Sequence, residues 1–461
     1  MSRFVAELDR AIPICADVDV LVCGGGPAGF CAAVAAARTL RDAGKDGARV
    51  LLIEQTNCLG GIATAGGHNH LCLYSAWGEP ETRVVGGVPF EMANRVVRAG
   101  RGAWEHDPAR TSGGSVDFEL EGLKLVLEQM AAEAGVELLY HTQFADAFVE
   151  GGRVAGAYIQ NKSGRQVIRA ARVVDATGDA DVAASTDAPF EMGRASDGAC
   201  QPATLMFTIG GVDWPRVCEA RRDDHKLTDT WRRAQDAGDM DPFQSRIMGF
   251  WWTPTRPDQV GVNFTHVVGT DCTNARSVTD ATIEGRHQAD HMIPVFRKYV
   301  PGMEACYLIS TAALLGTRES RRIIGEHVLT EQEVMGRATF DDGICYGSFF
   351  IDVHNCTGPG MDAETWWPQA GFRYQIPYRC LVPLQVDNLL VAGRCISATH
   401  VALGSTRVMP QCGALGEAAG AAAALSIRDD GTPRELDAQK LRRRLRYVGA
   451  IVDEDGIEHT A

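Results

Sequence analysis

Residues able to do chemistry gather at a few places along the chain. Gly24-x-Gly26-x-x-Gly29 is a glycine turn at the spacing that cradles a pyrophosphate, with Gly25, Pro27 and Ala28 filling it. Gly24 permits a tight turn, Gly26 lets phosphate oxygens approach the backbone, and Gly29 lets a following helix pack on the preceding strand. Glu54, followed by Gln55, is an acid placed to accept hydrogen bonds from a ribose. Arg318, Arg321 and Arg322 recur in one short segment, where a guanidinium fork could clamp a carboxylate. If that segment is helical, Arg318 and Arg322 share a face. An ion-pair cluster with Glu319, Glu326 or Glu331 is the plainer use of such residues. Asp352 and His354 stand two apart at the end of the apolar run Phe349-Phe350-Ile351, so an extended chain sets both on one face. There the acid could tune the imidazole as a general base, or the two could form a buried structural pair. His400 and Arg407 flank Gly404-Ser405-Thr406, and His68-x-His70 puts two imidazoles on one side of a strand. That last pair has no acids at metal-ligand spacing, so no metal site is expected.

The elements that must hold these groups follow from hydropathy. Val20-Leu21-Val22-Cys23 is an apolar run suited to a strand buried on both faces, and the Ala-rich stretch Phe30 to Leu40 is a strong helix former. Arg49 to Glu54 is a second buried strand ending in the acid, which completes a βαβ unit. Residues 55–78 are glycine-rich and suit a loop wrapped over a ligand. Residues 117–135 carry Phe118, Leu120, Leu123, Leu127 and Met130 on one helical stripe. Segments 136–140, 144–149, 154–160 and 166–174, separated by Gly-Gly and Ser-Gly turns, read as strands of a meander ending at Asp175-Ala176-Thr177-Gly178-Asp179. From Asn388 the opening style returns, with strand Leu389-Leu390-Val391, the turn Ala392-Gly393-Arg394 and an Ala-rich helix from Gly413 to Ser426. Leu436 to Val452 reads as an amphipathic surface helix with its arginines mostly opposite the apolar stripe.

Composition excludes several function classes. The 461 residues carry 45 basic and 59 acidic side chains, a net charge of −14 that gives nucleic acid or an anionic membrane no electrostatic support. The uncharged run Val20 to Ala37 is interrupted by Gly24-Gly25-Gly26-Pro27, which would break a lipid-embedded helix. No apolar stretch in residues 1–19 reads as a signal peptide, so the cytoplasm is the expected location. Fourteen cysteines are scattered with no C-x-x-C, which argues against a redox dithiol or a zinc or iron–sulfur site.

The turn Gly24–Gly29 with Glu54-Gln55 is one of five motifs that belong together. The others are Cys58-Leu59-Gly60-Gly61-Ile62-Ala63-Thr64-Ala65-Gly66, Val174 to Asp179, Thr317 to Ile323, and Leu390 to His400. On these the chain resembles the FAD-dependent oxidoreductases of the glutathione-reductase-like flavoprotein superfamily, which have two dinucleotide-binding domains. More narrowly, it is similar to a broad bacterial family of FAD-dependent oxidoreductases that is distantly related to fumarate reductase flavoproteins. The resemblance implies that Leu59, Gly60, Gly61, Ala63 and Thr64 run along the pyrophosphate and ribityl chain. It implies that Phe144 offers backbone contacts to adenine and that Thr177, Gly178 and Asp179 form a second nucleotide turn. Gly393-Arg394 stands where many relatives carry Gly-Asp, leaving Arg394 a pyrophosphate or a flavin contact. The helix opening near Gly413 and Ala414 would direct its N-terminus at the flavin. The place where fumarate-reductase-type enzymes tether flavin to a histidine falls near Ile62, so the FAD is expected to be non-covalent.

The expected architecture is α/β. Residues 15–200 and 385–430 would form a Rossmann-like FAD-binding domain (a parallel sheet plus a β-meander) from both chain ends, with 201–384 an inserted mixed α+β substrate domain and 431–461 a C-terminal helix. With no second glycine fingerprint and no dithiol, the expected activity is hydride transfer between a small polar substrate, carboxylate-bearing if Arg318 or Arg407 binds it, and flavin N5. His354 or His400 would move the proton. The alternatives are a flavin monooxygenase using NADPH and oxygen, and an FAD-binding protein with a degenerate site. The electron acceptor or donor is unknown, and assembly into a homo-oligomer is left open.

Overall fold

The computed structural model describes residues 11–104, 114–224, 226–241 and 249–459. Its first unit is the expected βαβ: β1 (Ile14–Cys23), α1 (Pro27–Asp42) and β2 (Val50–Ile53), with β1 and β2 parallel and in register from Val20↔Val50 to Cys23↔Ile53. Val20 to Cys23 are buried on both faces because helices cover the sheet, which is why the run is continuously apolar rather than alternating. Pro27 occupies the first turn of α1, where its missing N–H costs nothing and its fixed φ already suits a helix.

The sheet runs Glu137–Leu139, β2, β1, Gly164–Asp175, all parallel. Strand Gly164–Asp175 is long enough to fork. Its first half pairs antiparallel with Arg153–Asn161, which in turn pairs with Gln143–Glu150, while Val173–Asp175 pairs in parallel with Leu389–Val391. Both ends of the chain thus share one sheet, as the sequence suggested. Cys23 lies opposite Asp175 and Asp175 opposite Val391, so the turns after these three strands collect at one sheet edge. That carboxyl edge is where open α/β sheets bind ligands.

Helix Met409–Arg428 lies along α1, and both are rich in small residues. A Cβ added at Gly416 would sit 1.9 Å from Ala28 O, and one at Gly420 1.9 Å from Ala32 O. Only glycine allows the two backbones to approach so closely.

A second, antiparallel sheet carries strands in the order Gly249–Thr253, Arg256–Asn263, Phe207–Gly210, Tyr307–Thr311. Its core joins Phe207, Phe250, Val260, Val262 and Phe264 with Met292 and Phe296 of the long helix Ala275–Tyr299. Among the described residues, no helix is long and apolar enough to cross a membrane.

Several local expectations are corrected. Phe118 belongs to the short strand Val116–Phe118, and the helix begins at Leu120. The Thr317–Ser320 segment is not helical and runs into the strand Arg321–Ile323, so Arg318 and Arg322 do not share a helix face. Gly404-Ser405-Thr406 is no turn but the end of helix His400–Thr406. The Ala-rich helix opens at Met409, four residues before Gly413, so Gly413 and Ala414 lie buried in its interior rather than at its N-terminus, with Gly413 against Pro89 and Cys31. In the last helix, Ala438–Tyr447, Arg442 is buried and donates to Gly343 O, while Arg444 pairs with Asp42 at 2.7 Å and holds the helix to α1.

Candidate active site

The turn after β1 is shaped by close backbone contacts. Gly24 has φ +98°, and a Cβ there would meet Ala176 O at 2.5 Å. Gly29 abuts Gly24 O, where a side chain would sit 1.8 Å away. Gly26 caps α1 without any side-chain hydrogen bond, and a Cβ there would meet nothing within 4 Å. The free N–H groups of the first helical turn therefore face an open side, the arrangement that binds phosphate.

Glu54 is buried at the tip of β2 and holds this turn. Its Oε2 accepts from Gly25 N at 2.7 Å and its Oε1 from Thr56 N at 2.7 Å. Each oxygen keeps a second lone pair, so ribose hydroxyls can be received without losing these bonds. Gln55 is exposed. The glycine-rich loop folds back over the turn: Gly60 N donates to Gly25 O at 2.8 Å, Gly61 lies against Gly26, and Thr64 Oγ1 donates to Leu59 O at 2.6 Å, with Ala63 buried beneath. Phe144 is the second residue of the strand Gln143–Glu150, two residues after Thr142, whose N–H donates to Glu54 O at 3.0 Å.

The second turn is organised by Asp175, which is fully buried and accepts from Thr177 N, Thr177 Oγ1 and Ala183 N at 2.7–3.1 Å. Burial pushes its carboxyl up to about 6. Gly178 adopts φ +83° directly beneath Arg394. The Arg394 guanidinium donates to Asp179 Oδ1 at 2.9 Å and to Ser320 Oγ at 2.7 Å, which locks the turn after Leu389–Val391 to the turn after Asp175. Gly393 has φ +93° beside Ala28. Gly24–Gly29, Glu54, Leu59–Thr64, Thr177–Asp179, Gly393 and Arg394 therefore meet at one edge. A helix N-terminus, an open glycine turn and the buried carboxylate of Glu54 together could fit an extended dinucleotide.

Three of the four candidate chemical residues, Arg318, His354 and Arg407, also come together in a buried polar cluster. Arg318 donates to Pro202 O at 2.8 Å, to Thr204 Oγ1 and to Asn263 Oδ1 at 3.4 Å. Burial and the nearby Arg407 charge lower it to about 9. Arg407 donates to Asp352 O at 2.9 Å, to Asp352 Oδ2 at 3.1 Å and to Gln201 Oε1 at 3.3 Å. Asp352 Oδ1 lies 3.3 Å from His354 Nε2, so the expected pairing exists, although the segment makes only single bridges through Ile351 and His354. Burial, then Arg318, lowers His354 to about 3, and the ring is neutral. Burial opposes ionisation of Asp352, but His354, Arg407 and Arg318 hold its carboxyl below the ordinary range. His266 stacks on His354 with centroids 6.1 Å apart, and burial followed by Arg318 lowers it to about 4.

His400 belongs to a second buried group. Its Nδ1 is 2.8 Å from Glu319 Oε1, which Arg322 also contacts, while Arg321 bonds Asp181 Oδ1 at 2.9 Å. The arginine segment thus divides: Arg321 and Arg322 are ion-paired, and Arg318 faces the polar cluster. His68 packs against Trp251 at 4.4 Å between centroids, and His70 Nδ1 meets Asp117 Oδ1 at 2.6 Å. Among the described residues no group of His, Cys, Asp and Glu is arranged to hold a metal ion.

Sequence reasoning missed Gln201 and His266. Neither lies in a spacing motif, and only the fold brings them to Asp352 and His354.

The family profile described as FAD dependent oxidoreductase matches residues 19–445. The chain is 34% identical over 173 residues to the thiamine thiazole synthase of Aeropyrum pernix, which is 35% of this chain and 54% of the relative, so it spans about half that relative's length. Among solved structures, it is similar to a geranylgeranyl bacteriochlorophyll reductase-like protein from Thermoplasma acidophilum, with 14% identity, 94% of this chain and 83% of the other covered, and TM-score 0.45. It is also similar to p-nitrophenol 4-monooxygenase from Pseudomonas putida, with 11% identity, 93% and 84% covered, and TM-score 0.43. These two likenesses are too loose to carry a functional argument. The match over residues 19–445 decides the family: the chain belongs to the FAD-dependent oxidoreductases, and FAD is its cofactor.

Proposed function

We propose that this oxidoreductase transfers a hydride between a small carboxylate-bearing substrate and flavin N5. The observation that supports this most is Arg318. It is a buried cation whose three hydrogen-bond partners are all neutral oxygens. A buried charge without a counter-ion is costly. Arg318 and Arg407 face Asp352, and Arg407 also feels Glu319, which Arg322 already pairs; three arginines against these two acids leave one positive charge for a substrate anion. The planar fork of Arg318 suits a carboxylate.

In this reading the backbone of Gly24–Gly29 and the start of α1 hold the pyrophosphate, and Glu54 holds the adenosine ribose. Leu59–Thr64 line the pyrophosphate and ribityl chain, and Arg394 with Thr177–Asp179 closes the second turn. Bound FAD supplies a two-electron hydride acceptor or donor. The chain's own residues do the rest. Arg318 orients the carboxylate. Asp352 holds His354 through Nε2, so that Nδ1 takes up or returns the proton. Substrate binding itself prepares the base: a carboxylate beside Arg318 cancels the charge that, after burial, does most to depress His354.

The test is anaerobic mixing of the holoprotein with small 2-hydroxy and 2-amino acids and their uncharged amides. Acids that bleach the flavin while the amides do not would support the reading. Equal bleaching by acid and amide would contradict it.

A further inference from the structure

Resting on that reading, we infer that the substrate is a polyhydroxylated carboxylate, a sugar acid in chemical class, and that one of its secondary alcohols is oxidised. The cluster contains polar atoms that Arg318 does not explain. His266 Nε2 lies 3.0 Å from Gly358 O; a carbonyl only accepts, so Nε2 carries the hydrogen and Nδ1 presents a bare lone pair. His354 is fixed the same way by Asp352, which faces its Nε2 and leaves Nδ1 bare. Both Nδ1 atoms are buried without a partner, on rings stacked 6.1 Å apart. Gln201 Oε1 accepts from His354 N at 3.1 Å and from Arg407 at 3.3 Å, which orients the amide and leaves Nε2 a buried donor without an acceptor. His266, His354 and Gln201 are 2%, 4% and 1% exposed.

Two bare acceptors beside one bare donor ask for groups that both donate and accept. Adjacent hydroxyls meet that demand. An alkyl acid would leave all three atoms unpaired, and a second carboxylate has no hydrogen for either imidazole. The oxidised isoalloxazine ring, the form that meets an alcohol substrate, has a single N–H and could serve only one of them. The step balances in the oxidative direction. The alcohol O–H proton passes to His354 Nδ1, the carbinol C–H bond breaks with its electron pair leaving as hydride to FAD, and the C–O bond becomes a carbonyl. His266 is a positioning residue that accepts from the neighbouring hydroxyl.

Saturable shifts of melting temperature, measured on the holoprotein, test this with threonate, ribonate, gluconate and galactonate against hexanoate and myo-inositol. At least one aldonate should bind about tenfold or more tightly than hexanoate, a difference of roughly 1.4 kcal/mol. His266→Leu should erase most of that preference without weakening hexanoate; if this variant fails to fold, His266→Phe, which keeps a ring, takes its place. Hexanoate equalling every aldonate would overturn the inference while leaving the Arg318 reading intact, whereas myo-inositol matching the aldonates would overturn both, because the carboxylate would then contribute nothing. No binding by any carboxylate, with Arg318→Lys indistinguishable from the parent, would overturn both.

Discussion

His354 turns Nε2 towards Asp352 Oδ1 at 3.3 Å and keeps Nδ1 buried without a partner. The carboxylate thereby decides which ring nitrogen carries the hydrogen. Asp352→Asn can present an N–H to Nε2 instead and reverse the tautomer. The rate of flavin reduction by substrate should fall about a hundredfold or more, with FAD content unchanged. Single-turnover absorbance measurements read this; an unaltered rate would remove the Asp352–His354 pair from the chemistry.

Glu54 braces the glycine turn through Gly25 N and Thr56 N, and under the proposed function it also receives the ribose. Glu54→Gln keeps one acceptor oxygen but sets an amide N–H against the N–H of Gly25 or Thr56. Charge-assisted bonds of this kind contribute about 1.5–3 kcal/mol. FAD affinity, measured by titrating the apoprotein, should fall roughly tenfold or more on that scale. An unchanged affinity would mean that neither role matters.

The flavin should leave the protein on acid precipitation: if the resemblance to fumarate-reductase-type flavoproteins holds, the tether position falls near Ile62 and not on a histidine. Yellow colour retained in the washed pellet would show a covalent bond.

Glu417 gives a pH dependence independent of catalysis. It is buried in helix Met409–Arg428, accepts from Val88 N at 3.1 Å, and is pushed by burial from an ordinary value of 4.5 to about 8. Between those values the folded protein holds a proton that the unfolded chain releases. Its contribution is therefore complete below about pH 4.5 and is lost as pH rises towards 8. Glu417→Gln should gain on the parent between pH 5 and pH 9, by on the order of 2 kcal/mol or more. Denaturant midpoints at the two pH values measure it, and parallel midpoints would contradict it.

Much of the turn region proposed to hold FAD was readable as structure in the sequence because it is local. The strand, glycine turn, helix, second strand and acid occupy Val20–Glu54, and each is signalled by its own residue types. The return of the chain at Leu389–Val391 was readable from the same style of apolar run and glycine turn. The polar cluster was readable only in part. Arg318, His354 and Arg407 were noticed as chemical types, but their meeting depends on non-local packing that brings Pro202, Asn263 and Asp352 to one place. Gln201 and His266 lie in no motif and left no local trace. The misread elements have a similar cause. Arg318 to Arg322 have helical spacing, yet Glu319 and Arg322 are drawn into a buried pair and the segment extends into a strand. Gly413 reads as a helix start because the Ala-rich run opens there, whereas it is the small residue packed on Pro89 and Cys31 within a helix already begun at Met409.

The central claim rests on Arg318, and anaerobic stopped-flow reduction of the Arg318→Lys holoprotein tests it most directly. With an acid that reduces the parent flavin, the substrate concentration for half-maximal rate should rise at least about tenfold. The rate at saturation should change far less, because a lysine keeps the charge but not the planar fork. If the variant instead follows the parental concentration dependence, Arg318 does not bind the substrate and the proposed site is wrong.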